Sequence, residues 1–278
     1  MASARYKLKC WGARGTVPTP SADRLAYGGN TACLAVQLGE NDYLILDCGS
    51  GLRGLGNVLA AEPADRARRF HIFLSHYHFD HIEGLPLFPP LYNANSTFSI
   101  YGMDSCGRSV KEILESLVSP PYFPVTLSDT PSNISYRAVG ESPIKIGDLT
   151  VRSLPLNHPD GCMAFRIECD GRQIVYATDH EHGVEATDKA LIEFARGADY
   201  LIYDATYQPT EYEELRRGWG HSTWYAAVQT ALVAQIGSLV LFHHHPDHTD
   251  EDLDAVLRVA QEEFPNTIVA REGLELPL

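Results

Sequence analysis

Short stretches of strand-like character recur along the chain, near residues 5–10, 32–38, 43–47, 70–74, 97–101, 149–156, 163–168, 173–177, 199–203 and 238–242. Several are continuous apolar runs, among them Tyr43-Leu44-Ile45-Leu46 and Leu239-Val240-Leu241-Phe242. Such runs suit strands buried on both faces, since alternation is expected only where one face meets water. Helices are predicted between them over 51–61, 108–118, 187–196, 222–235 and 250–263. The last opens with Thr249-Asp250-Glu251-Asp252, a capping residue followed by acids in the first turn, where the helix dipole favours negative charge. Strands alternating with helices predict an α/β fold. At 278 residues and 44% hydrophobic, the chain can bury a full core, and one domain over residues 1–278 is expected. No run of about 18 apolar residues occurs, and the start Met-Ala-Ser-Ala-Arg has no apolar signal core. Neither a membrane span nor export is expected, which predicts a cytoplasmic protein.

The ends of these strands carry the chemistry. Straight after Phe70-His71-Ile72-Phe73-Leu74 comes Ser75-His76-Tyr77-His78-Phe79-Asp80-His81, three imidazoles and a carboxylate within six residues. In an extended chain His76 and His78 project to one face and can grip one ion. Asp80 and His81, where the chain must turn, can reach a second ion a few ångströms away. Nitrogen and carboxylate oxygen donors suit zinc, manganese or iron, and an incomplete ligand set leaves a position for water, as in catalytic sites. Two divalent ions per chain are expected, zinc first. Six cysteines (Cys10, Cys33, Cys48, Cys106, Cys162, Cys169) show no CxxC spacing and lie mostly in apolar settings, so buried reduced thiols are expected.

This arrangement resembles the HxHxDH motif of the metallo-β-lactamase superfamily, and the other motifs of that family follow in order. Asp47 ends an apolar run before Gly49-Ser50-Gly51; the resemblance gives it the task of bracing the histidine loop, while capping the helix from Gly51 is the simpler alternative. His158 in Asn157-His158-Pro159 and Asp179 at the end of Val175-Tyr176-Ala177-Thr178 match later ligands. The last ligand is taken as His243, the first residue of His243-His244-His245-Pro246-Asp247-His248, with His244 and His245 as alternatives. By the resemblance, one metal takes His76, His78 and His158, a second takes Asp80, His81 and His243, and Asp179 bridges them together with a water. The implied fold is an αββα sandwich of two similar halves joined near residues 145–150.

Two further motifs, Leu201-Ile202-Tyr203-Asp204-Ala205-Thr206-Tyr207 and Gly218-Trp219-Gly220-His221-Ser222-Thr223, look like those of the phosphodiesterase branch, which includes the tRNA 3′-processing endonuclease ribonuclease Z. The resemblance makes His221 the general acid at the leaving ribose oxygen, held by Asp204 where ribonuclease Z has Glu; Asp80 completes the catalytic set. A neighbour of a helix cap, with Ser222 as the cap, is the plainer reading of His221. The loops Cys10 to Pro18, Tyr27 to Thr31 and His245 to His248 resemble those of bacterial hydrolases related to cyclic-nucleotide phosphodiesterases. Arg14, Asn30, Asp247 and His248 are their candidate substrate contacts. The apolar, proline-punctuated segment 84–92 can wall a pocket, form a homodimer surface or pack under a loop.

Charge narrows the substrate. Lys and Arg total 22 against 36 Asp and Glu, a net of −14, whereas long nucleic acids usually require a basic footprint. The one dense basic cluster, Arg66, Arg68 and Arg69, reads as a solvated helix end. Only 20 residues separate His158 from Asp179, where the resemblance would place a tRNA-holding arm. The expectation is therefore hydrolysis of a small phosphodiester, a cyclic nucleotide or short oligonucleotide. Transfer-RNA 3′ cleavage, thioester or lactone hydrolysis, and a non-catalytic metal-binding sensory module are the alternatives.

Overall fold

The computed structural model describes residues 5–63 and 65–278. Two seven-stranded sheets pack face to face. The first contains β1 (Lys7–Gly12), β2 (Cys33–Gln37), β3 (Asp42–Leu46), β4 (Arg68–Phe73), β5 (Ser96–Gly102) and β6 (Asn133–Ala138). The second contains β7 (Ile144–Ile146), β8 (Leu149–Leu156), β9 (Cys162–Cys169), β10 (Arg172–Ala177), β11 (Tyr200–Asp204), β12 (Ser238–Phe242) and β13 (Thr267–Val269). The C-terminal β14 (Glu275–Pro277) returns to pair antiparallel with β1. Their strand orders are β14-β1-β2-β3-β4-β5-β6 and β13-β12-β11-β10-β9-β8-β7. In each sheet three antiparallel pairings give way to three parallel ones, at β3/β4 in the first and β10/β11 in the second. The two halves are thus similar, as the sequence resemblance implied, and their boundary lies at β7.

Strand alternation explains the continuous apolar runs. On β3, Leu44 and Leu46 enter the layer between the sheets while Tyr43 and Ile45 enter the layer beneath the helices. On β12, Val240 and Phe242 face the other sheet while Leu239 and Leu241 face helices. Both faces of a central strand are covered, so both must be apolar. The outer layers are closed on one side by α1 (Leu52–Ala60), α2 (Phe79–Ile82) and α3 (Val110–Leu117). On the other side lie α4 (Glu185–Ala195), α5 (Pro209–Glu211), α6 (Trp224–Ala234) and α7 (Asp250–Glu263). The result is an αββα sandwich.

The five predicted helices match α1, α3, α4, α6 and α7 to within a few residues at their ends, and the single-turn α2 and α5 are additional. Strands β6, β7, β13 and β14 were not foreseen: three of them are only three residues long, and β6 is a largely exposed edge strand without an apolar run. Arg68 and Arg69 do not form a solvated helix end. They lie in β4, Arg68 buried against Glu62 (2.9 Å) and Arg69 paired with Asp42. Segment 84–92 packs into the core between β4 and α1: Leu85, Phe88 and Leu91 are fully buried, with Phe88 edge-on to Phe70 at 5.2 Å. Five cysteines are buried, Cys106 is exposed, and all six are unpaired. Among the described residues no helix is long and apolar enough to cross a membrane.

Candidate metal centre

The site forms where the parallel strands of both sheets end. Asp47 follows β3, Asp179 follows β10 and His243 follows β12, and all three hold left-handed backbone, at φ 58°, 53° and 62°. Such conformations cost a non-glycine residue about 1–3 kcal/mol each and persist where the surroundings fix them. Gly15 supplies part of that fixing, because a Cβ there would lie 2.3 Å from the His243 ring. After β4 the chain bends at Ser75, reaches His78 in extended conformation and then makes the single turn of α2, which buries Asp80 and His81. Asp47 does not cap α1, whose N-cap is Gly51. Its carboxylate instead accepts from Ser75 N and Oγ (both 2.7 Å), Tyr176 Oη (2.7 Å) and His81 Nδ1 (2.8 Å).

Two sets of donors converge on Asp179. Its Oδ1 lies 3.2 Å from His81 Nε2 and 3.3 Å from His243 Nε2, and Asp80 Oδ2 is 3.3 and 3.1 Å from those same nitrogens. Its Oδ2 faces His76 Nε2 at 3.6 Å and His158 Nε2 at 3.7 Å, with His78 Nδ1 3.1 Å from His158 Nε2. The two oxygens of one carboxylate therefore serve two different groups of imidazoles. A further convergent set combines Asp179, Asp204, His221 and His243. In it the ring of His221 is already committed, its Nδ1 donating to Asp204.

The residues fit a cation on three independent counts. First, the outward nitrogens of the histidines are engaged: His81 Nδ1 by Asp47, His158 Nδ1 by the Gly220 carbonyl (2.7 Å), His243 Nδ1 by Thr206 Oγ1 (3.0 Å) and His76 Nδ1 by Ser75 Oγ (3.1 Å). Such outer bonds set the tautomer and turn the other nitrogen's lone pair to the centre. Second, His76 Nε2 is buried and has no hydrogen-bond partner. Third, Asp47, Asp80 and Asp179 are buried, and among the described residues no lysine or arginine pairs with them. Buried carboxylates need counter-charge. Burial holds His76 well below its ordinary pKa and lowers His78 and His158. Burial also opposes charge on His81 and on Asp179, yet the carboxylates Asp179, Asp80 and Asp47 raise His81, and His243, His81 and His76 hold Asp179 low.

Beside this cluster sits His221, its ring centroid 4.8 Å from His243 and 5.3 Å from His158. Asp204 reaches it at 2.8 Å despite having one methylene fewer than Glu. The other Asp204 oxygen accepts from Thr206 Oγ1 (2.8 Å), Thr206 N (3.0 Å) and Ser222 N (3.2 Å). Burial would lower the His221 pKa, but Asp204 and then Asp179 outweigh it and raise it to about 9. Ser222 is not the helix cap; Thr223 caps α6, and Ser222 Oγ meets His182.

A model of the beta-lactamase superfamily domain matches residues 43–244, the interval from β3 to the histidines after β12. The chain belongs to the β-lactamase superfamily. It is a metal-binding hydrolase of that superfamily, with the metallo-β-lactamase αββα fold. A ribonuclease Z of Synechococcus sp. (strain CC9902) is 27% identical over 312 aligned residues, covering 89% of this chain and 92% of that protein. The metallo-β-lactamase fold protein YhfI from Bacillus subtilis superposes with a TM-score of 0.71 at 23% identity, over 98% of each chain. A diphosphatase from the PhnP family superposes with a TM-score of 0.70 at 18% identity, over 99% of this chain and 98% of the other.

Within this superfamily site the histidine run after β12 sorts by position. His243 meets Asp80 and His81, whereas His244 is buried against the Ala270 carbonyl (2.8 Å), its pKa lowered to about 3 by burial. His245 lies against Tyr207 and His248 with tilted rings, outside the cluster. Among the expected substrate contacts, Arg14 is a fully buried strut that donates to the carbonyls of Gly28 (2.9 Å), His245 (3.2 Å) and His248 (2.6 Å). The expectation for Arg14 is corrected: it shapes the loops and does not face a ligand. Asn30 is tied to Glu272 and Ser50, and His248 is 3.2 Å from Glu211. Asp247 projects into solvent.

Sequence reasoning missed Glu181. Its buried carboxylate accepts from Gly218 N (2.5 Å), Gly220 N (2.7 Å) and Tyr212 Oη (3.0 Å). It thereby holds the turn whose Gly220 carbonyl orients His158 and whose next residue is His221. Gly220 has φ 87°, and a Cβ there would lie 2.5 Å from His158 Nδ1. Only the spacing Asp179-His180-Glu181-His182 could have hinted at this. Glu181→Gln places an amide NH2 against one of the two backbone donors, Gly218 N or Gly220 N, a mismatch worth roughly 1–3 kcal/mol. We expect a lower thermal midpoint and weaker zinc retention during chelator titration. Wild-type values for both would show that the turn is held by other bonds.

Proposed function

We propose that this chain hydrolyses a small phosphodiester with two divalent ions, held by His76, His78, His158 and Asp179 Oδ2 on one side and by Asp80, His81, His243 and Asp179 Oδ1 on the other. The ion pair, when bound, supplies an activated water and positive charge for the phosphoryl oxygens, the two contributions made by metals roughly 3.5–4 Å apart. The protein's own part is orientation and proton delivery. Asp80, which also accepts from Thr16 N (2.6 Å), and Asp179 anchor the centre. His221, kept protonated by Asp204, gives its proton to the leaving ribose oxygen.

The observation that carries the phosphodiester reading is the His221–Asp204 pair beside Asp179. Small size of the substrate is supported by the interval between His158 and Asp179, which is filled by the tight β9–β10 hairpin, turning at Asp170 and Gly171 in left-handed conformation (φ 48° and 81°). It is supported also by the net charge of −14, since extended nucleic acid is usually held by basic surface. The ribonuclease Z relatives favour a second reading, cleavage of precursor tRNA. The deciding assay compares cyclic mononucleotides, linear dinucleotides, precursor tRNA and thioesters under zinc, manganese and iron loading. Turnover of small diesters far above that of precursor tRNA is expected. Preference for precursor tRNA would install the second reading, and thioester turnover alone would remove both.

The ligand assignment has its own test. His243→Ala should bring bound metal from near two equivalents to near one, whereas His245→Ala should leave it unchanged. Metal analysis giving the reverse pattern would move the last ligand along the chain.

A further inference from the structure

A cavity of about 200 Å³ opens on the flank of the centre formed by His76 and His78. His221 does not line it, contacting His158 and His243 instead. On the phosphodiester reading, the leaving group sits at His221, so the substituent that stays on phosphorus has this cavity to enter. A volume below the roughly 300 Å³ at which drug-sized pockets begin holds one ring system.

The cavity is preformed. Tyr77 Oη donates to the Met103 carbonyl (2.6 Å), and Ser105 Oγ donates to the Asp160 carbonyl (3.1 Å), fastening the segment 103–108 to the two histidine loops. Ser105 and Arg108 close a tight turn with reciprocal backbone bonds of 3.0 and 2.9 Å. At its corner Cys106 and Gly107 both adopt left-handed backbone, φ 52° and 71°. That conformation is unfavourable for cysteine. The turn presents Arg108 at the rim. One guanidinium nitrogen, Nη2, donates to the Glu112 carbonyl (2.6 Å), while Nε and Nη1 make no hydrogen bond or ion pair among the described residues. Tyr77 and Ile113 give apolar wall, and Asp160, an acidic residue, also lines the cavity.

We propose that this cavity is a base pocket that selects guanine on the phosphate-retaining side of a linear diester. The inference rests on the phosphodiester reading above and narrows it. A small cavity lined by Tyr77 and Ile113 together with a donor-only arginine and an acceptor-only aspartate matches a base with two acceptors on one edge and donors on another. Guanine has that arrangement, O6 and N7 for arginine and the N1 and N2 hydrogens for a carboxylate. Adenine sets its amino donor beside N7, which arginine cannot pair in the same fork. A second phosphate is disfavoured by Asp160 and the apolar wall.

The test uses the full chain loaded with zinc or manganese and linear dinucleoside monophosphates carrying guanine, adenine or uracil on the phosphate-retaining side. Guanine there should lower KM at least tenfold relative to uracil, the scale of one good bidentate contact. Arg108→Gln should bring that ratio close to one, and Asp160→Asn, which tolerates the left-handed backbone at 160 (φ 60°), should reduce it in part. Equal KM values for all three bases, or Arg108→Gln raising KM by the same factor for guanine and uracil, would overturn the base assignment and leave the phosphodiester reading standing. Absence of turnover for every diester with both metals loaded would overturn the reading and the pocket together.

Discussion

Asp179→Ala is expected to abolish hydrolysis of every substrate and to bring bound metal below one equivalent. The reason is geometric. Oδ1 of Asp179 faces His81 and His243, and Oδ2 faces His76 and His158, so one substitution takes a donor from both groups. It also leaves imidazoles facing a buried space without the carboxylate that balances them, and an uncompensated buried cation is unfavourable. No neighbour can substitute, because Asp80 is already directed at His81 and His243, and Asp204 is saturated by Thr206, Ser222 and His221. Elemental analysis and turnover on bis(p-nitrophenyl) phosphate read both effects. A variant with full metal content and wild-type turnover would remove Asp179 from the bridging position.

What the sequence disclosed, and what it withheld, follows from the range of the interactions involved. The strands that end at the site were legible because each carries a mostly apolar run into its C-terminal end, as burial on both faces requires. His76, His78, Asp80 and His81 were legible because local chain geometry alone brings them together. Asp179, His158 and His243 came only by resemblance to a family, since nothing in their own surroundings distinguishes a strand-end aspartate or a loop histidine. Glu181 stayed hidden for a related reason: its partners are backbone amides about forty residues away, and amides have no sequence signature. Arg14 was misjudged in the opposite direction. A guanidinium in a glycine-rich loop suggests a ligand, but here three carbonyls from distant loops capture it. The edge strands β7, β13 and β14 are too short to show a pattern, and β6 is too exposed to carry an apolar run.

The left-handed residues at strand ends add a structural rationale for the two-halves design. Asp47 after β3 and Asp179 after β10 occupy corresponding places in the two sheets, at the end of the strand where antiparallel pairing gives way to parallel. They have diverged in use. Asp47 is enclosed by Ser75, Tyr176 and His81 and acts on the centre through hydrogen bonds, whereas Asp179 faces the imidazoles directly. One backbone device thus delivers both the hydrogen-bonding brace and the carboxylate that faces two groups of imidazoles, each on the rigid end of a buried strand.

His221→Ala should cost roughly 10² to 10⁴ in turnover of a ribose phosphodiester, the usual contribution of a positioned general acid. A ribose alkoxide is a poor leaving group and requires a proton as the P–O bond breaks; p-nitrophenolate leaves without one. The variant should therefore keep much more of its activity on bis(p-nitrophenyl) phosphate than on a dinucleotide. Metal content should stay near two, because the proposed donors of both ions lie in other residues. The structure supports this selectivity through the single role left to the ring: Nδ1 is spent on Asp204 at 2.8 Å, and the side chain is mostly buried with a small exposed portion, so only the remaining nitrogen can meet a substrate. Asp204→Asn should reproduce the same substrate asymmetry to a lesser degree, since an amide can still hold the ring but no longer favours the imidazolium. Equal losses on the two substrates would mean that His221 binds the phosphoryl group or supports the turn instead of delivering a proton. Retention of full activity on both would take away the observation on which the phosphodiester assignment stands.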